Sequence, residues 1–419
     1  MTPYKVKVVG LEGGERFPIL CERQSGLPVF RVNLWVLTEL RAAHLAVNTI
    51  QQAIQSVMIL LVVLDQLKVD LDARLNNGKF LTLGEVELIS RCCKLPAAEI
   101  EGFAQIMSGA RGGKPEALAQ QVSVTTVSIR LYYIKRYLSW VATGYLIQVG
   151  ATHENFLALE KLRVSVLDSI QARIPSSSSY SSFAPRVGLS EHELRLVQQY
   201  VEPGYELNPW KNDRVQKRNY LIIRWLLSLG VRRGELLGIK ISDVNFQTNE
   251  ILIARRAGDP ADPRRRQPCT KTSARLLALD PGLADLTRSY VMSIRRSVPG
   301  ARRHEYLWVA LGTGKPMSLA NLNKIFKTLR MHCQELPQDL SPHVLRHTWN
   351  ELFSEVVDQK GISAEIEQKI RSRMMGWSET SEMAKVYNQR HIRRKAAEVS
   401  LEMQARLGIA GGSDEKWSE

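Results

Sequence analysis

Apolar residues recur at three- and four-residue intervals in two stretches of the first half of the chain. Ile50, Ala53, Ile54, Val57, Leu61 and Leu64 form one stripe, and Val127, Leu131, Ile134, Leu138 and Val141 form another behind the capping candidates Ser123, Thr125 and Thr126. This period keeps apolar side chains on one face of an α-helix, so the half is expected to be mainly helical. Ahead of it, Lys5–Val9, Phe17–Cys21 and Val29–Val32 are short β-favouring runs separated by turn formers at Gly13-Gly14 and Ser25-Gly26. Strands or extended arms are predicted there. In the second half, Leu221, Ile222, Trp225, Leu226 and Leu229 predict a helix that Gly230 stops in the left-handed conformation. Ile251–Ile253 and Leu276–Leu279 have strand length, and the insert between them, Arg255 to Arg275, holds seven Arg or Lys against two Asp. Between the halves, residues 174–185 contain six Ser and two Pro in twelve positions and read as an interdomain linker.

A chain of 419 residues has room for two or three domains, each with its own core. Its 57 Lys and Arg against 42 Asp and Glu give a net charge of +15, which fits either a nucleic-acid partner or solvated surface charge. On the helix at 127–141, Arg130, Lys135 and Arg136 lie off the apolar stripe with Tyr132 and Tyr133 between them. Such a face either lies along phosphates or is simply solvated. A hairpin tip as basic as the 255–275 insert repels itself unless it meets an anion, which makes Arg264, Arg265 and Arg266 candidates for DNA contact. The longest apolar run, Val57–Leu64, falls short of a membrane span, and no basic segment followed by an apolar one opens the chain. Five cysteines without a CxxC spacing, and no His placed to complete a zinc site, suggest a reducing cytoplasmic compartment and no structural metal. The glycine-rich stretches 108–115 and 312–316 lack the spacing of a phosphate-binding loop and have Pro where Ser or Thr is needed, so no nucleotide site is implied.

Three patches of the second half occur in a telling order: Gly230-Val-Arg-Arg-Gly-Glu-Leu236, His343-Val-Leu-Arg-His347, and Gly376-Trp377 followed by Tyr387. Together they resemble the boxes of the tyrosine recombinase, or phage integrase, family over about residues 188 to 400. Ser25-Gly-Leu-Pro and Val47-Asn-Thr-Ile look like the entry to that family's core-binding domain. The resemblance implies a mainly α protein with a helical core-binding domain and a mixed α/β catalytic domain of the α+β kind. The division that follows is a strand or arm segment over 1–36, a helical DNA-binding domain over 37–173, a linker over 174–187, a catalytic domain with a tail helix over 188–408, and a disordered tail over 409–419. It also implies a site-specific recombinase or integrase of a mobile element, acting on double-stranded DNA as a tetramer. No metal or ATP is required, and the location is cytoplasmic and nucleoid-associated. A type IB topoisomerase and a non-catalytic DNA-binding regulator are the rival readings.

Attack on a phosphodiester builds negative charge on the nonbridging oxygens, which guanidinium forks match without a metal. By resemblance Arg232 and Arg346 are that pair, with Arg233 the alternative to Arg232 and Glu235 an available ion-pair partner. His343 is the expected acid–base group for the tyrosyl oxygen, and His347 is expected to pack behind it. Tyr387 is the nucleophile, and its high intrinsic pKa calls for a positive field that Arg390 would reinforce. Trp377 stands where most relatives have His; indole donates one hydrogen bond and packs well but shuttles no proton. The interval from Trp377 to Tyr387 is one residue longer than the usual pattern, and extra chain between Arg346 and Tyr387 is expected at 358–368 as a loop plus helix. Lys271, before the strand at 276–279, matches the hairpin lysine that protonates the leaving 5′ oxygen in the family. Ala396, Val399, Met403 and Leu407 form a stripe that in such proteins often docks on a neighbouring protomer, packing within its own domain being the alternative.

Overall fold

The two apolar stripes of the first half bury against each other. In the computed structural model the chain divides into two units, Met1–Pro185 and Arg186–Glu419. The structure describes residues 2–107, 121–152, 154–175, 188–256, 258–268, 272–378 and 396–406. The first unit runs β1 (Tyr4–Gly10), β2 (Arg16–Glu22), α1 (Phe30–Trp35), α2 (Val47–Leu67), α3 (Leu71–Asn76), α4 (Leu83–Cys93), α5 (Ile100–Met107), α6 (Val124–Val149) and α7 (Phe156–Ala172). Ser123 caps α6 by accepting from the Thr126 amide at 3.3 Å, and the Val127–Val141 stripe of α6 packs on the Ile50–Leu64 face of α2.

In the N-terminal segment, two of the three β-favouring runs are strands. β1 and β2 pair antiparallel from Tyr4 opposite Glu22 to Gly10 opposite Arg16, and Phe17 and Leu20 enter the same core as α2 and α6. Asn33 locks this arrangement, accepting from the Leu20 amide at 2.9 Å and donating to the Leu20 carbonyl at 2.8 Å. Val29–Val32 is not a strand: Val29 caps α1, and Val32, Trp35, Val36 and Leu40 bury at helical spacing, which outweighs the β-branched run. By length and composition α2, 21 residues with a hydropathy of 1.7 over its most apolar window, is the one helix among the described residues apolar enough to cross a bilayer. The run Val57–Leu64 understated it, because Ser56 and the flanking Gln residues are tolerated in a longer window. Its residues Ile50, Ala53, Ile54, Val57, Leu60 and Val63 are core positions of this unit.

The second unit contains α8 (Glu191–Val201), α9 (Asp213–Leu229), α10 (Arg233–Gly238), β3 (Val244–Asn245), β4 (Glu250–Ile253), β5 (Arg275–Ala278), α11 (Pro281–Ser289), α12 (Leu319–His332), α13 (Pro342–Gln359) and α14 (Ala364–Met375). The three strands form an antiparallel sheet in the order β3-β4-β5, with Ile251 opposite Leu277. Helix α9 is the spine of the core: Leu221, Ile222, Trp225 and Leu226 are buried with Ile251 of the sheet, Phe326 of α12 and Leu345 of α13. The extra chain expected at 358–368 is the end of α13, a turn through Gly361 with φ +63°, and the first turn of α14.

Gly230 ends α9 with φ +58°, and a Cβ there would lie 2.7 Å from the Trp349 ring of α13. Both the backbone conformation and the close approach require glycine. Gly230→Ala is expected to destabilise the second unit by about 2 kcal/mol or more. Urea unfolding monitored by tryptophan fluorescence checks this, since the second unit carries Trp210, Trp225, Trp308, Trp349 and Trp377.

Candidate active site

The end of α9 and the start of α10 place the first group. Arg232 is the N-cap of α10, and its backbone amide donates to Glu235 Oε2 at 2.8 Å. Glu235 is only 2% exposed and becomes the point where three guanidinium groups converge. Arg275 of β5 grips it bidentately, Nη2 to Oε2 at 2.9 Å and Nη1 to Oε1 at 3.2 Å. Arg232 Nη1 stands 3.6 Å from Oε1 and Arg346 Nη1 stands 4.0 Å from Oε2. Thr272 also donates its hydroxyl to Oε1. Burial alone would push the Glu235 carboxyl up, but the Arg275 hydrogen bonds and charge, the Thr272 hydroxyl and the Arg346 charge hold it below its ordinary value.

Helix α13 brings the second group. His343 and Arg346 sit three residues apart on it, His343 exposed at the helix start and Arg346 buried. Arg346 Nη1 donates to the Gly230 carbonyl at 2.5 Å, so the last peptide of α9 orients it. His347 is largely buried, with its Nε2 3.1 Å from His343 Nε2, so one of the two rings carries the shared proton. The third group follows α14. Gly376 ends this helix with φ +65°, and Trp377 packs with Trp349 and Met375 while the Arg346 guanidinium stands 5.7 Å from its ring centroid.

Helix α14 is bolted to α13 by Arg371, which is fully buried. It donates to the Asn350 carbonyl at 3.0 Å and to Ser354 Oγ at 2.6 Å, and it pairs with Glu367. Asn350 in turn donates to the Arg346 carbonyl at 2.8 Å. Lys271, Tyr387 and Arg390 lie outside the described residues. The structure thus brings Arg232, Arg346 and Trp377 around one end of α9, with His343 one turn before Arg346 on α13. Arg233 is exposed, while Arg232 faces Glu235.

Glu235, Arg275 and Thr272 were not singled out from sequence as site groups. Glu235 stood in the first box as a generic ion-pair partner, and Arg275 was counted within the basic insert. Two of the basic candidates for DNA contact are engaged within the protein. Arg264 is buried: it is paired with Asp262 at 2.8 Å, donates to the carbonyls of Leu237 and Met317 at 3.0 and 2.9 Å, and lies over the Tyr306 ring. It staples the insert to the core, whereas Arg265 and Arg266 are exposed. In the first unit, Arg130 donates to the Cys93 and Leu95 carbonyls at 2.9 and 2.7 Å, closing the C-terminal end of α4. Burial holds its guanidinium below its ordinary value. Lys135 donates to Gln171 at 2.9 Å, and Arg136 stands over the Tyr132 ring at 6.0 Å, both partly exposed.

The phage integrase family model matches residues 206–393, the span holding all three groups. Residues 206–393 thus carry a domain of the phage integrase family. Its members are tyrosine recombinases, enzymes that break and rejoin DNA. The TnP I resolvase of Bacillus thuringiensis is 24% identical over 233 residues, covering 51% of this chain and 74% of the relative. Among solved structures, the Tn1549 transposon integrase in complex with a circular intermediate DNA matches with 16% identity, a TM-score of 0.41, and 78% and 94% of the two chains covered. XerA recombinase matches with 16% identity, a TM-score of 0.35, and 88% and 97% covered.

Because Glu235 is buried among guanidinium groups, Glu235→Gln is expected to cost about 3 kcal/mol, leaving Arg275 buried without its charge partner. The sign with pH follows from the lowered carboxyl. Its contribution is fully present above the unfolded value, about 4.3, and is lost as pH falls through the lower folded value. Urea midpoints for wild type and variant are expected to converge as pH drops below about 4; a constant gap would place the charge elsewhere.

Proposed function

We propose that this chain recombines DNA at a specific site through a 3′-phosphotyrosyl intermediate. The observation that carries this reading is the convergence of Arg232 and Arg346 on Glu235 at the end of α9, with His343 one turn before Arg346 on α13, within the span matched by the family. Arg232 and Arg346 hold the nonbridging oxygens of the scissile phosphate. Their charge stabilises the surplus that develops there as the Tyr387 oxygen bonds to phosphorus and the bond to the 5′ oxygen breaks. His343 serves as the acid–base group for the tyrosyl oxygen, its proton shared with His347. Lys271 gives the proton that the departing 5′ oxygen needs. The phosphotyrosyl bond keeps the energy of the broken phosphodiester, and the 5′ hydroxyl of a partner strand attacks it to restore the duplex.

The partner is double-stranded DNA, bound by the helical first unit and by the catalytic unit, with Arg265, Arg266, Lys135 and Arg136 as phosphate contacts. Four copies assemble on the paired sites. Residues 396–406 are helical and expose Val399, Leu401 and Met403, an apolar surface suited to a neighbouring protomer.

Tyr387→Phe is expected to abolish covalent capture on a nicked suicide duplex while DNA affinity stays within about twofold, because only a hydroxyl is lost. A denaturing gel reads the adduct, and a shifted band persisting in the variant would assign the nucleophile to another residue. Plasmid relaxation by wild type without any specific site would instead indicate a topoisomerase. Lys271→Ala is expected to slow cleavage about a hundredfold on ordinary DNA. On DNA with a bridging 5′ sulfur the loss should largely vanish, since a thiolate leaves unprotonated; equal losses on both would remove Lys271 from the role.

A further inference from the structure

Arg275 is the most heavily committed side chain of the site, and the chemistry assigned above does not use it. It is 4% exposed and lies at the start of β5. Its guanidinium joins three separate stretches of chain. Nη1 and Nη2 hold both oxygens of Glu235, at 3.2 and 2.9 Å, and Nη1 also reaches Thr272 Oγ1 at 3.4 Å. On its other edge, Nε donates to the Met374 carbonyl at 2.6 Å, at the end of α14. A parallel link runs from the Ser273 amide to the Gly376 carbonyl at 3.1 Å. A Cβ at Gly376 would lie 2.7 Å from Arg275 Nη1, so the turn before Trp377 is shaped to admit this guanidinium.

Resting on the reading of Arg232 and Arg346 as the phosphate-holding pair, the geometry points to Arg275 as a positioning residue that fixes Glu235, and through it both arginines, against the Met374–Gly376 turn. Glu235 is the group the two have in common: its oxygens stand 3.6 Å from Arg232 and 4.0 Å from Arg346. If the carboxylate moves, both forks lose their common reference. Arg275 prevents that by holding both carboxylate oxygens in a bidentate pair whose other edge is anchored to backbone. An ammonium keeps the charge but has no planar fork, so it cannot hold both Glu235 oxygens and the Met374 carbonyl in this geometry. Arg275 thereby ties the strand hairpin, the first box and the turn leading to Trp377 into a single piece.

The test compares Arg275→Lys with wild type and with Arg346→Ala, scoring covalent adduct on suicide duplexes. One duplex carries an ordinary scissile phosphate, and the other a methylphosphonate in which a neutral methyl replaces a charged nonbridging oxygen. Relative to wild type, Arg275→Lys is expected to be slowed about tenfold or more on the phosphodiester, with DNA affinity within about twofold. On the methylphosphonate, which has little charge for misplaced arginines to stabilise, the defect should shrink to less than about threefold. Thr272→Val, which removes one hydroxyl from Glu235 at nearly constant volume, is expected to show the same pattern more weakly, and it carries the test if Arg275→Lys unfolds. Equal slowing on both substrates, with Arg346→Ala still showing the difference, overturns the positioning role alone. No adduct from wild type, or equal slowing of Arg346→Ala on both, overturns the underlying reading as well.

Discussion

A carboxylate taken fully out of water is costly, and Glu235 is stable as an anion because guanidinium groups surround it. The match is unequal in number: among the described residues one carboxylate faces Arg232, Arg275 and Arg346. It is also unequal in distance. Arg275 takes both oxygens in hydrogen-bonding contact, while the other two stand 3.6 and 4.0 Å away. Arg275 is thus the closest of the three to the carboxylate, and Arg232 and Arg346 flank it.

The helices around this cluster explain how it keeps its shape. Gly230 lets α9 end against the Trp349 ring, and the freed carbonyl of Gly230 then accepts from Arg346. Trp349 donates its indole N–H to the Ser228 carbonyl at 3.0 Å, so α9 and α13 are joined on both sides of that turn. Arg371 does the same between α13 and α14, with no apolar alternative that could satisfy the Asn350 and Ser354 groups it meets. The boxes recognisable in sequence lie near the ends of these helices: Arg232 caps α10, His343 and Arg346 lie in the first two turns of α13, and Trp377 follows α14.

Much of this was legible in the sequence because the signals were local. The stripe at 221–229 with its terminal glycine gave α9, Ile251–Ile253 and Leu276–Leu279 gave two strands, and the register after Gly230 favoured the arginine that faces Glu235. What was not legible depended on distance in the chain. Arg275 is 40 residues from Glu235, 99 from Met374, and nothing in a count of basic residues separates it from Arg265. Val29–Val32 misled for the opposite reason: four residues of β-favouring type say little beside Trp35 and Leu40, which continue the helical face.

The charge of the insert carries the same lesson. Seven basic residues between 255 and 275 suggested a hairpin tip that meets an anion, yet three of them pair with carboxylates of the same unit. Arg256 pairs with Asp243 at 2.5 Å, Arg264 with Asp262, and Arg275 with Glu235, and both Arg256 and Arg264 also donate to backbone carbonyls. The insert is thus fastened to its unit by the residue type that made it look like a free DNA-binding arm. Guanidinium groups suit both tasks because a planar fork satisfies a carboxylate and a phosphate with the same geometry. Net charge therefore gives an upper bound on the surface offered to DNA, and burial decides how far below that bound the true interface lies.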